Sequence, residues 1–431
     1  MTGTPKKLYL ISDLHFGGDG VLMTCDYAEE MIAFLRSLED ESSDAELMIL
    51  GDTFGFWELT TVSGTAMLDE IIRHHAEIFE QFKRTGKKIK ITMMVGNHDY
   101  DLACDPVYAD RLREYNIDLD TSISLIREIG GKKIWLEHGQ QVDGFNASPD
   151  YGNRHAQPAG FFITESLVGG ASKFSVFGST DWLKDIRSVD IRQLPDWLMS
   201  NYFYREMNSA IRWVLLPFLL LLGVTMVALA AQILKKLDIF DANIFLNNAL
   251  FDSLGVVGDI VRLVITISMI FWFFVLIVSV PLFFILRDIS RTLRRMQLLP
   301  SDKNTPLYVP TAGYDEHAEE VFAASPDVSV YVFGHTHDAF LKQANGKTFI
   351  NTGTWLKLLT RVPVILGYLP AVYFPMFRLN YFLIHEADGK VVADYVPIHK
   401  APDRELTFLQ RIFILGRKPK APAPIPSRTA L

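Results

Sequence analysis

The sequence of 431 residues predicts an α/β fold interrupted by a pair of membrane-spanning helices. Three observations predict this fold class. Short apolar runs alternate with segments of helical spacing, which is typical of an α/β sheet. Two long segments without charged residues then divide the chain. The same short apolar runs resume after them, so we expect the two flanking parts to complete one domain.

The strands are predicted on both sides of the long apolar segments, in residues 1–200 and 299–400. The apolar runs are KLYLIS, ELMIL, KIKITMMV and KKIWLE in the first part, and VSVYVF, KTFIN, NYFLIHE and KVVADYV in the second. Between the first runs, residues 27–38 and 66–82 have helical spacing. The final segment, 401–431, is rich in Pro and Lys and is predicted to be disordered.

The two uncharged segments are residues 213–233 and 263–286. Each is long enough to cross a hydrocarbon core of about 30 Å, because a helix rises about 1.5 Å per residue. Pro217 and Pro281 do not exclude spanning helices, since membrane helices tolerate proline. Buried core helices are the alternative, but a core helix rarely lacks a polar face over such a length. Residues 201–298 are therefore predicted to form an inserted transmembrane hairpin.

Basic residues are more frequent beside the predicted hairpin than in its connecting loop. Those beside it are Arg205, Arg212, Arg287, Arg291, Arg294 and Arg295, and those in the loop are Lys235, Lys236 and Arg262. By the positive-inside rule, both soluble parts face the cytoplasm. The first apolar run is too short for a signal peptide. We therefore expect an integral protein of the cytoplasmic (inner) membrane, held in the lipid bilayer with its catalytic domain in the cytoplasm.

Composition and charge exclude some classes of protein. The formal net charge is −8, which argues against a general nucleic-acid coat, so no nucleic-acid binding is expected. The two cysteines, Cys25 and Cys104, provide no disulfide framework and favour a reduced, cytosolic setting.

Residues of metal-binding types follow five of the predicted strands. They are Asp13, His15, Asp52, Asn97, His138, His335 and His337. Carboxylate oxygen and neutral imidazole together suit divalent Mn, Fe, Zn or Co. The spacing of two in Asp13-x-His15 and His335-x-His337 places both members on one face of an extended segment, so each pair is expected to converge. Seven ligands are too many for one open catalytic metal and fit two metals that share a carboxylate.

The blocks DLH, GD, GNHD, HG and GHTH, in this order, resemble the calcineurin-like metallophosphoesterases over residues 8–140 and 328–395. The resemblance implies a four-layer α-β-β-α sandwich and hydrolysis of a phosphate ester or diphosphate by a metal-bridging hydroxide. It also implies two divalent metals that share Asp52. By motif, one metal would be held by Asp13, His15, Asp52 and His337. The other would be held by Asp52, Asn97, His138 and His335.

The histidine and aspartate of the GNHD block are the predicted catalytic pair. In the family this histidine lies near the leaving group and is not a metal ligand. The resemblance therefore implies that His98 stabilises charge there or donates a proton as a general acid. Asp99 would orient and charge-stabilise His98.

The second block departs from the pattern of the family. Many members carry GDxxD, but position 55 is glycine here, so a contact made there in relatives would be missing. The run GDTFGFW is similar to the GDxFxxW of UDP-diacylglucosamine pyrophosphatases, peripheral enzymes that cleave a lipid-linked diphosphate. That subfamily usually has arginine where this chain has His98, which implies a relative with a different substrate.

The predicted anchor makes a phospholipid or a lipid-linked nucleotide the first substrate class, because tethering raises the local concentration of a membrane-bound substrate. A soluble phosphomonoester or cyclic nucleotide stays open, as does a non-catalytic metal-binding scaffold. The complete ligand set and the His98–Asp99 pair favour an enzyme. A transporter is disfavoured, since two spans without charge cannot easily line a pore. The apolar stretch 358–377 predicts either a loop packed on the sheet or a lid that dips into the membrane.

Overall fold

The computed structural model describes residues 5–173, 184–189, 193–237, 239, 249–295, 312–365, 369–400, 406–419 and 421–431. Its strands are β1 (Lys7–Ile11), β2 (Ala45–Ile49), β3 (Lys90–Met94), β4 (Asp118–Asp120), β5 (Ser124–Ile129), β6 (Lys132–Glu137), β7 (Val328–Phe333), β8 (Phe340–Ala344), β9 (Lys347–Asn351), β10 (Leu358–Val362), β11 (Val372–Met376), β12 (Asn380–Ala387), β13 (Lys390–Pro397) and β14 (Arg428–Ala430). Its helices are α1 (Ala28–Ser37), α2 (Ala66–His74), α3 (Ala76–Thr85), α4 (Val107–Arg113), α5 (Ala159–Lys173), α6 (Leu194–Asn201), α7 (Ser209–Lys236), α8 (Ala249–Ser253), α9 (Val256–Arg295), α10 (Ala312–Ala324) and α11 (Phe408–Ile414).

Two mixed sheets contain most of the strands. The seven-stranded sheet has the order β14-β13-β12-β1-β2-β3-β4, with β1 to β4 parallel and β12 antiparallel to β1. The five-stranded sheet has the order β5-β6-β7-β9-β8, with β6, β7 and β9 parallel. Both sheets take strands from before and after the long helices α7 and α9, so the two flanking parts of the sequence build them together.

Alternating side chains of the central strands pack into different clusters of the core. In β1, Leu8 and Leu10 belong to the cluster between the two sheets, which also contains Leu136 and Val332. Tyr9, the residue between them, points to the other face and packs with residues of α1 to α4. This alternation follows from the two-residue period of a strand, and burial on both faces explains why the run KLYLI is apolar throughout.

Helices cover the outer faces of both sheets. Residues of α1 to α4, such as Leu35 and Phe79, pack on the seven-stranded sheet. Residues of α10, such as Ala318 and Phe322, pack with Tyr331 of the five-stranded sheet. The layers therefore follow the order helix, sheet, sheet, helix, which agrees with the predicted α/β class.

Two of the predicted elements differ in the structure. The helix predicted over residues 66–82 is two helices, because the backbone of His75 leaves the helical region between α2 and α3. The apolar stretch 358–377 contains the antiparallel pair β10–β11.

The prediction of a disordered tail over residues 401–431 is wrong for its described part. Helix α11 begins with a capping box formed by Thr407 and Gln410. Strand β14 pairs with β13, and Arg428 donates two hydrogen bonds of 2.7 Å to Asp394. These specific contacts outweigh the disorder that Pro and Lys favour.

The chain divides into two compact units. The first comprises residues 1–201, 308–365 and 371–431, and contains both large sheets. The second comprises residues 202–307 and 366–370, and contains α7, α8 and α9.

One helix among the described residues is long and apolar enough to cross a membrane, namely Val256–Ile289 within α9. It includes the second predicted span, 263–286. The first predicted span, 213–233, falls in α7, where the side chains of 213–220 and 222 lie outside the described part. The hairpin as a pair of spanning helices therefore stays a prediction.

Candidate metal centre

The predicted ligands lie directly after the carboxyl ends of five strands. Asp13 and His15 follow β1, Asp52 follows β2, and Asn97 follows β3. His138 follows β6, and the pair His335 and His337 follows β7. Because β1, β2 and β3 are parallel, as are β6 and β7, their carboxyl ends meet at a common edge in each sheet. The distances below place all seven side chains in one buried centre.

The first cluster consists of Asp13, His15 and His337. The Oδ1 atom of Asp13 lies 3.2 Å from His337 Nε2 and 4.0 Å from His15 Nε2. The two imidazole Nε2 atoms are 3.3 Å apart. The other carboxylate oxygen of Asp13 accepts hydrogen bonds from Ser12 Oγ and from the backbone N–H of His335, at 3.1 Å. This support turns Oδ1 toward the two histidines.

The second cluster consists of Asp52, Asn97, His138 and His335. The Nε2 atom of His138 lies 3.3 Å from Asp52 Oδ2, 3.2 Å from Asn97 Oδ1 and 3.3 Å from His335 Nδ1. Apart from Asn97, these side chains offer ligand atoms that lie within 4.8 Å of one another.

Asp52 faces both clusters with the same oxygen. Its Oδ2 atom lies 3.3 Å from His138 Nε2 and 3.7 Å from His15 Nε2. Its Oδ1 atom accepts the backbone N–H of His98 at 2.8 Å. One carboxylate oxygen is thus fixed by the backbone, while the other lies between the two groups of histidines.

Hydrogen bonds fix the tautomers of the two histidines in the second cluster. His138 donates from Nδ1 to the carbonyl oxygen of Leu50 at 2.7 Å, which leaves Nε2 for a ligand. Asp143 Oδ2 lies 3.3 Å from His335 Nε2, so that nitrogen donates and Nδ1 faces the centre. Such outer partners orient metal-binding imidazoles. Asp143 lies outside the predicted blocks, and its place beside His335 depends on the fold.

Five of the seven candidate ligands have a left-handed backbone. Their φ angles are 55° at Asp13, 50° at His15, 49° at Asp52, 64° at His335 and 60° at His337. The prediction that each closely spaced pair lies on one face of an extended segment is therefore wrong. Left-handed turns instead separate His335 from His337 and send them to different clusters. Such conformations are unfavourable for residues other than glycine and concentrate at functional sites.

Arg187 supports the loop that follows β1. Its Nη1 atom donates to the carbonyl oxygens of His15, at 2.8 Å, and Gly17, at 2.7 Å. A third bond, of 3.1 Å, runs from Nη2 to the carbonyl oxygen of Thr24. No local pattern around Arg187 predicts this role, because the residues it contacts are far away in the sequence.

The structure corrects the predicted role of Asp99. Both of its carboxylate oxygens accept backbone N–H groups, from Gly96 at 2.6 Å, Thr53 at 2.7 Å and Phe54 at 3.2 Å. Asp99 therefore holds together the loops that carry Asp52 and Asn97. Three amide donors already occupy its oxygens, so it does not orient His98, whereas its negative charge does help to raise the pKa of His98, as predicted.

His98 is held by Glu58 and Trp57 instead. Its Nδ1 atom lies 3.0 Å from Glu58 Oε1, and its ring centroid lies 4.2 Å from that of Trp57. Burial disfavours the charged imidazole, but the nearby carboxylates of Glu58 and Asp52 outweigh it and raise the pKa of His98 to about 9. The Glu58 carboxylate thus favours the protonated form of His98, which is the state that a proton donor needs.

Electrostatic coupling also links Asp52 and His138. Burial works against the Asp52 carboxylate, but the charge of His138 outweighs it and holds the pKa of Asp52 well below its ordinary value. Burial likewise opposes the charged form of His138, whereas Asp52 raises its pKa to about 10. The buried Asp52 carboxylate therefore favours positive charge at this position.

The donor set fits divalent metal ions. It combines carboxylate oxygens, imidazole nitrogens and one amide oxygen, and the donor atoms lie 3.2 to 4.0 Å apart. Two ligands that each lie about 2.0–2.2 Å from one metal are separated by a similar distance. Within the described structure, Asp13 Oδ1 is buried and accepts no hydrogen bond. A buried carboxylate oxygen is costly in this state unless it binds a cation.

Residues 6–194 match the sequence profile of the calcineurin-like phosphoesterases. The chain therefore contains a calcineurin-like phosphoesterase domain. The match confirms the predicted family and implies divalent metal ions at the centre. It ends before His335 and His337, which the fold brings to the same centre as the matched residues. No curated protein matches the chain.

Solved structures similar to this chain include three proteins of low identity. A conserved protein of Streptococcus pneumoniae, described as a predicted phosphoesterase, is 10% identical over 93% of this chain and 94% of its own, with a TM-score of 0.27. Vps29 of Entamoeba histolytica, complexed with Zn²⁺, is 11% identical over 91% and 92%, with a TM-score of 0.26. A phosphopantetheinyl hydrolase of Mycobacterium tuberculosis is 13% identical over 82% and 91%, with a TM-score of 0.24. At these TM-scores the similarity carries no argument about fold or function.

Proposed function

We propose that this metallophosphoesterase uses two divalent metals to hydrolyse a phosphate ester or diphosphate at the cytoplasmic surface of the inner membrane. The observation that carries the two-metal proposal is the position of Asp52 Oδ2, between His138 at 3.3 Å and His15 at 3.7 Å. Asp13, His15 and His337 would hold one metal with Asp52. Asn97, His138 and His335 would hold the other. The metals, when bound, would activate the attacking water and neutralise charge on the phosphate.

The protein side chains contribute binding geometry and a proton. Asp143 keeps His335 in the tautomer whose Nδ1 faces the centre. The carbonyl of Leu50 keeps His138 in the tautomer whose Nε2 faces the centre. His98 pairs through Nδ1 with Glu58, so Nε2 is the nitrogen that would donate a proton to the leaving oxygen. Proton donation typically accelerates such reactions by about 10²–10⁴-fold. A metal-binding scaffold without turnover would need no such donor.

The membrane part of the proposal rests on the second compact unit, residues 202–307 and 366–370, which we call the helical unit. The first compact unit, which contains the candidate metal centre, is the catalytic unit. The apolar helix Val256–Ile289 within α9 has the length and composition of a spanning segment. We infer that α7 is the second member of a transmembrane hairpin, because residues 213–233 of the sequence carry no charge. The arginines beside the hairpin favour a cytoplasmic position for the catalytic unit.

A substrate embedded in the bilayer fits this tethered arrangement. A phospholipid or a lipid-linked nucleotide is therefore the proposed class, since an anchored enzyme meets it at a raised effective concentration. A soluble phosphomonoester or cyclic nucleotide is the alternative, and presentation of one ester in vesicles and in solution distinguishes the two. Mn, Fe, Zn and Co are the proposed metals, because the ligands mix oxygen and nitrogen.

The test of the chemistry uses the full chain purified in detergent and stripped of metal with a chelator. We expect cleavage of a chromogenic phosphodiester to return when Mn²⁺ is added, with two metals bound per chain by elemental analysis. Asp52→Asn should lower cleavage by more than about 100-fold, because even outer partners of metal ligands are worth about 10–100-fold. Asp110→Asn is the matched control, since Asp110 is 75% exposed.

Two outcomes would contradict the proposal. Cleavage that stays intact in Asp52→Asn would exclude the shared carboxylate. Wild-type protein that cleaves no ester with any of the four metals would exclude the enzymatic function itself.

A further inference from the structure

Glu58 is a buried carboxylate that lies outside the five blocks of metal ligands. It is 1% exposed, and its Oε1 atom lies 3.0 Å from His98 Nδ1. Its backbone is fixed by the hydrogen bond from Asp19 N to the carbonyl oxygen of Glu58, at 2.9 Å. A buried carboxylate is costly unless it faces a cation or a donor, so the imidazole of His98 accounts for its position.

The carboxylate of Glu58 lies close to the position that a side chain at residue 55 would occupy. A Cβ atom at position 55 would lie 2.9 Å from Glu58 Oε2 and 3.6 Å from its Cδ. Gly55 is absent from the residues with a positive φ angle, so its backbone does not require glycine. The missing side chain at position 55 therefore serves to make room for the carboxylate of Glu58.

Trp57 fixes the imidazole of His98 from another direction. The two rings lie 4.2 Å apart with an interplanar angle of 32°, and Trp57 is 3% exposed. A Cβ atom at Gly160, in α5, would lie 3.2 Å from the Trp57 ring, so α5 packs directly against this indole. Stacking restricts the tilt of the His98 ring, and the contact with Glu58 selects which nitrogen faces the centre.

We propose that Glu58 is the positioning residue of His98, with its carboxylate in the space of the side chain that position 55 lacks. Glu58 engages Nδ1 and thereby leaves Nε2 toward the leaving oxygen of the substrate. The inference rests on the proposed function, because it takes His98 as the proton donor. It assigns that support to Glu58, six residues after Asp52, rather than to Asp99.

The first experiment compares two leaving groups in the full chain loaded with Mn²⁺. An alkyl phosphate ester needs a proton on its leaving oxygen, whereas p-nitrophenolate leaves readily without one. Glu58→Gln keeps the shape of the side chain but removes its charge. We expect kcat for the alkyl ester to fall by about 10–100-fold, because loss of the charge weakens a proton donation worth about 10²–10⁴-fold, while kcat for the p-nitrophenyl ester stays near that of the wild type.

The second experiment moves the carboxylate to position 55. In Glu58→Ala, the atoms that would crowd a side chain at position 55 are gone, and the next neighbour is the carbonyl oxygen of Gly17 at 3.7 Å. The double variant Gly55→Asp with Glu58→Ala should therefore recover much of the alkyl-ester activity that Glu58→Ala loses. Gly55→Ala alone should lower that activity by displacing Glu58, yet add no further loss in the Glu58→Ala background. Glu114→Gln is the control, since Glu114 is 57% exposed.

The outcomes separate this inference from the proposed function. Equal losses on both esters in Glu58→Ala, or no loss on either, would overturn the positioning role. The positioning role would also be overturned if the losses of alkyl-ester activity in Gly55→Ala and Glu58→Ala were additive and the variant Gly55→Asp with Glu58→Ala recovered no activity. A wild-type protein that cleaves neither ester would instead overturn the proposed function.

Discussion

Close packing around Asp52 makes a glycine necessary in the GNHD loop. A Cβ atom at Gly96 would lie 2.1 Å from Asp52 Oδ1 and 2.4 Å from its backbone N. Asp52 carries the oxygen that lies between the two clusters, so any shift of this carboxylate disturbs both. The glycines of the predicted blocks thus make room for neighbouring protein atoms, in addition to allowing tight turns.

Gly96→Ala is therefore expected to damage both stability and catalysis. Overpacking of this kind costs about 1–3 kcal/mol in the free energy of unfolding. Ester cleavage should fall by more than about 100-fold, because the shared carboxylate moves. Gly144→Ala is the matched control, since a Cβ atom there meets nothing within 4 Å. Thermal unfolding and cleavage of a chromogenic ester check the prediction, and a Gly96→Ala protein as active as Gly144→Ala would contradict it.

A buried lysine away from the metal centre forms ion pairs with two aspartates. Lys357 is 3% exposed, and its Nζ atom lies 2.9 Å from Asp26 Oδ2 and 3.1 Å from Asp185 Oδ1. Burial raises the pKa of Asp26, but the hydrogen bonds and charges of Lys184 and Lys357 outweigh it and hold that pKa below its ordinary value. Through Asp26 and Asp185, Lys357 connects the loop before α1 with the segment that contains Arg187.

Lys357→Met should destabilise the protein by about 3–5 kcal/mol, because it removes the cation from the buried carboxylate of Asp185 and leaves Asp26 with Lys184 alone. A carboxyl group whose pKa is lowered in the folded state stabilises the protein above its unfolded pKa, and that contribution is lost as pH falls through the folded pKa. Without Lys357 the folded pKa of Asp26 rises, so acid unfolding should begin at a higher pH. Circular dichroism across pH 2 to 7 measures the midpoint, and Lys87→Met, at an exposed site, is the control. An unchanged acid midpoint would show that the network does not control acid stability.

The residues that sequence could predict at the centre are those within short contiguous blocks. Asp13, His15 and Asp52 each follow an apolar run, and their chemistry is legible without the fold. Glu58 and Asp143 were not predicted as site residues, because their roles depend on contacts with His98 and His335 that only the fold creates. The wrong role for Asp99 has the same origin, since a sequence does not show that backbone amides already occupy its oxygens.

At the scale of elements, strands that are buried on both faces were predicted better than other short strands and the ends of helices. Strands buried on both faces, such as β1 and β7, are apolar throughout and are recognisable as short runs. The break between α2 and α3 is a change at one residue, His75, whose N–H still bonds to Ile71 O although its own backbone is not helical. Helix α11 and strand β14 lie in a segment of tail-like composition, and their stability comes from contacts with other elements.

The tail supports the edge of the seven-stranded sheet. Strand β14 pairs with β13 through Val392, Ala393 and Asp394, and Ile425 and Leu431 pack against the core between the sheets. Without the tail, β13 would be an exposed edge strand, which invites association.

Deletion of residues 421–431 should therefore lower the melting temperature by several degrees and increase aggregation. A loss of about 1 kcal/mol in the free energy of unfolding shifts the melting temperature of a domain of about 150–250 residues by about 2–4 °C. Thermal unfolding and light scattering measure both effects. Arg428→Ala removes the ion pair with Asp394 but keeps the strand, so it should have the smaller effect. A truncated protein that melts and scatters like the full chain would exclude a structural role for β14.

At the scale of the whole molecule, the catalytic unit is built from sequence segments on both sides of the helical unit. The seven-stranded sheet places β12 beside β1, and the five-stranded sheet places β7 beside β6. Alternation of apolar runs predicts that strands exist, but not which distant strands pair, because many pairings bury a similar apolar area. The ligands His335 and His337 reach the centre only through this long-range pairing.

Because the chain divides into two compact units, we predict that a deletion can separate catalysis from membrane attachment. The variant replaces residues 202–307 with a flexible Gly/Ser linker of about 20 residues, which has a root-mean-square span of about 25 Å. We expect it to remain in the supernatant after alkaline carbonate treatment, whereas the full chain sediments with membranes. Cleavage of a soluble p-nitrophenyl ester should persist, because the described ligands all lie in the catalytic unit.

Cleavage of a phosphate ester embedded in vesicles should distinguish the variant from the full chain. Tethering can raise the effective affinity by about 10²–10⁴-fold without any new contact, so the deletion variant should lose that advantage on vesicles only. The full chain with Asp52→Asn is the control, since it should sediment with membranes and cleave neither ester. A deletion variant that still sediments would place the membrane contact in the catalytic unit, and a full chain found in the supernatant would exclude the anchor. Equal activity of both proteins on vesicles would favour a soluble substrate, because attachment would then serve only localisation.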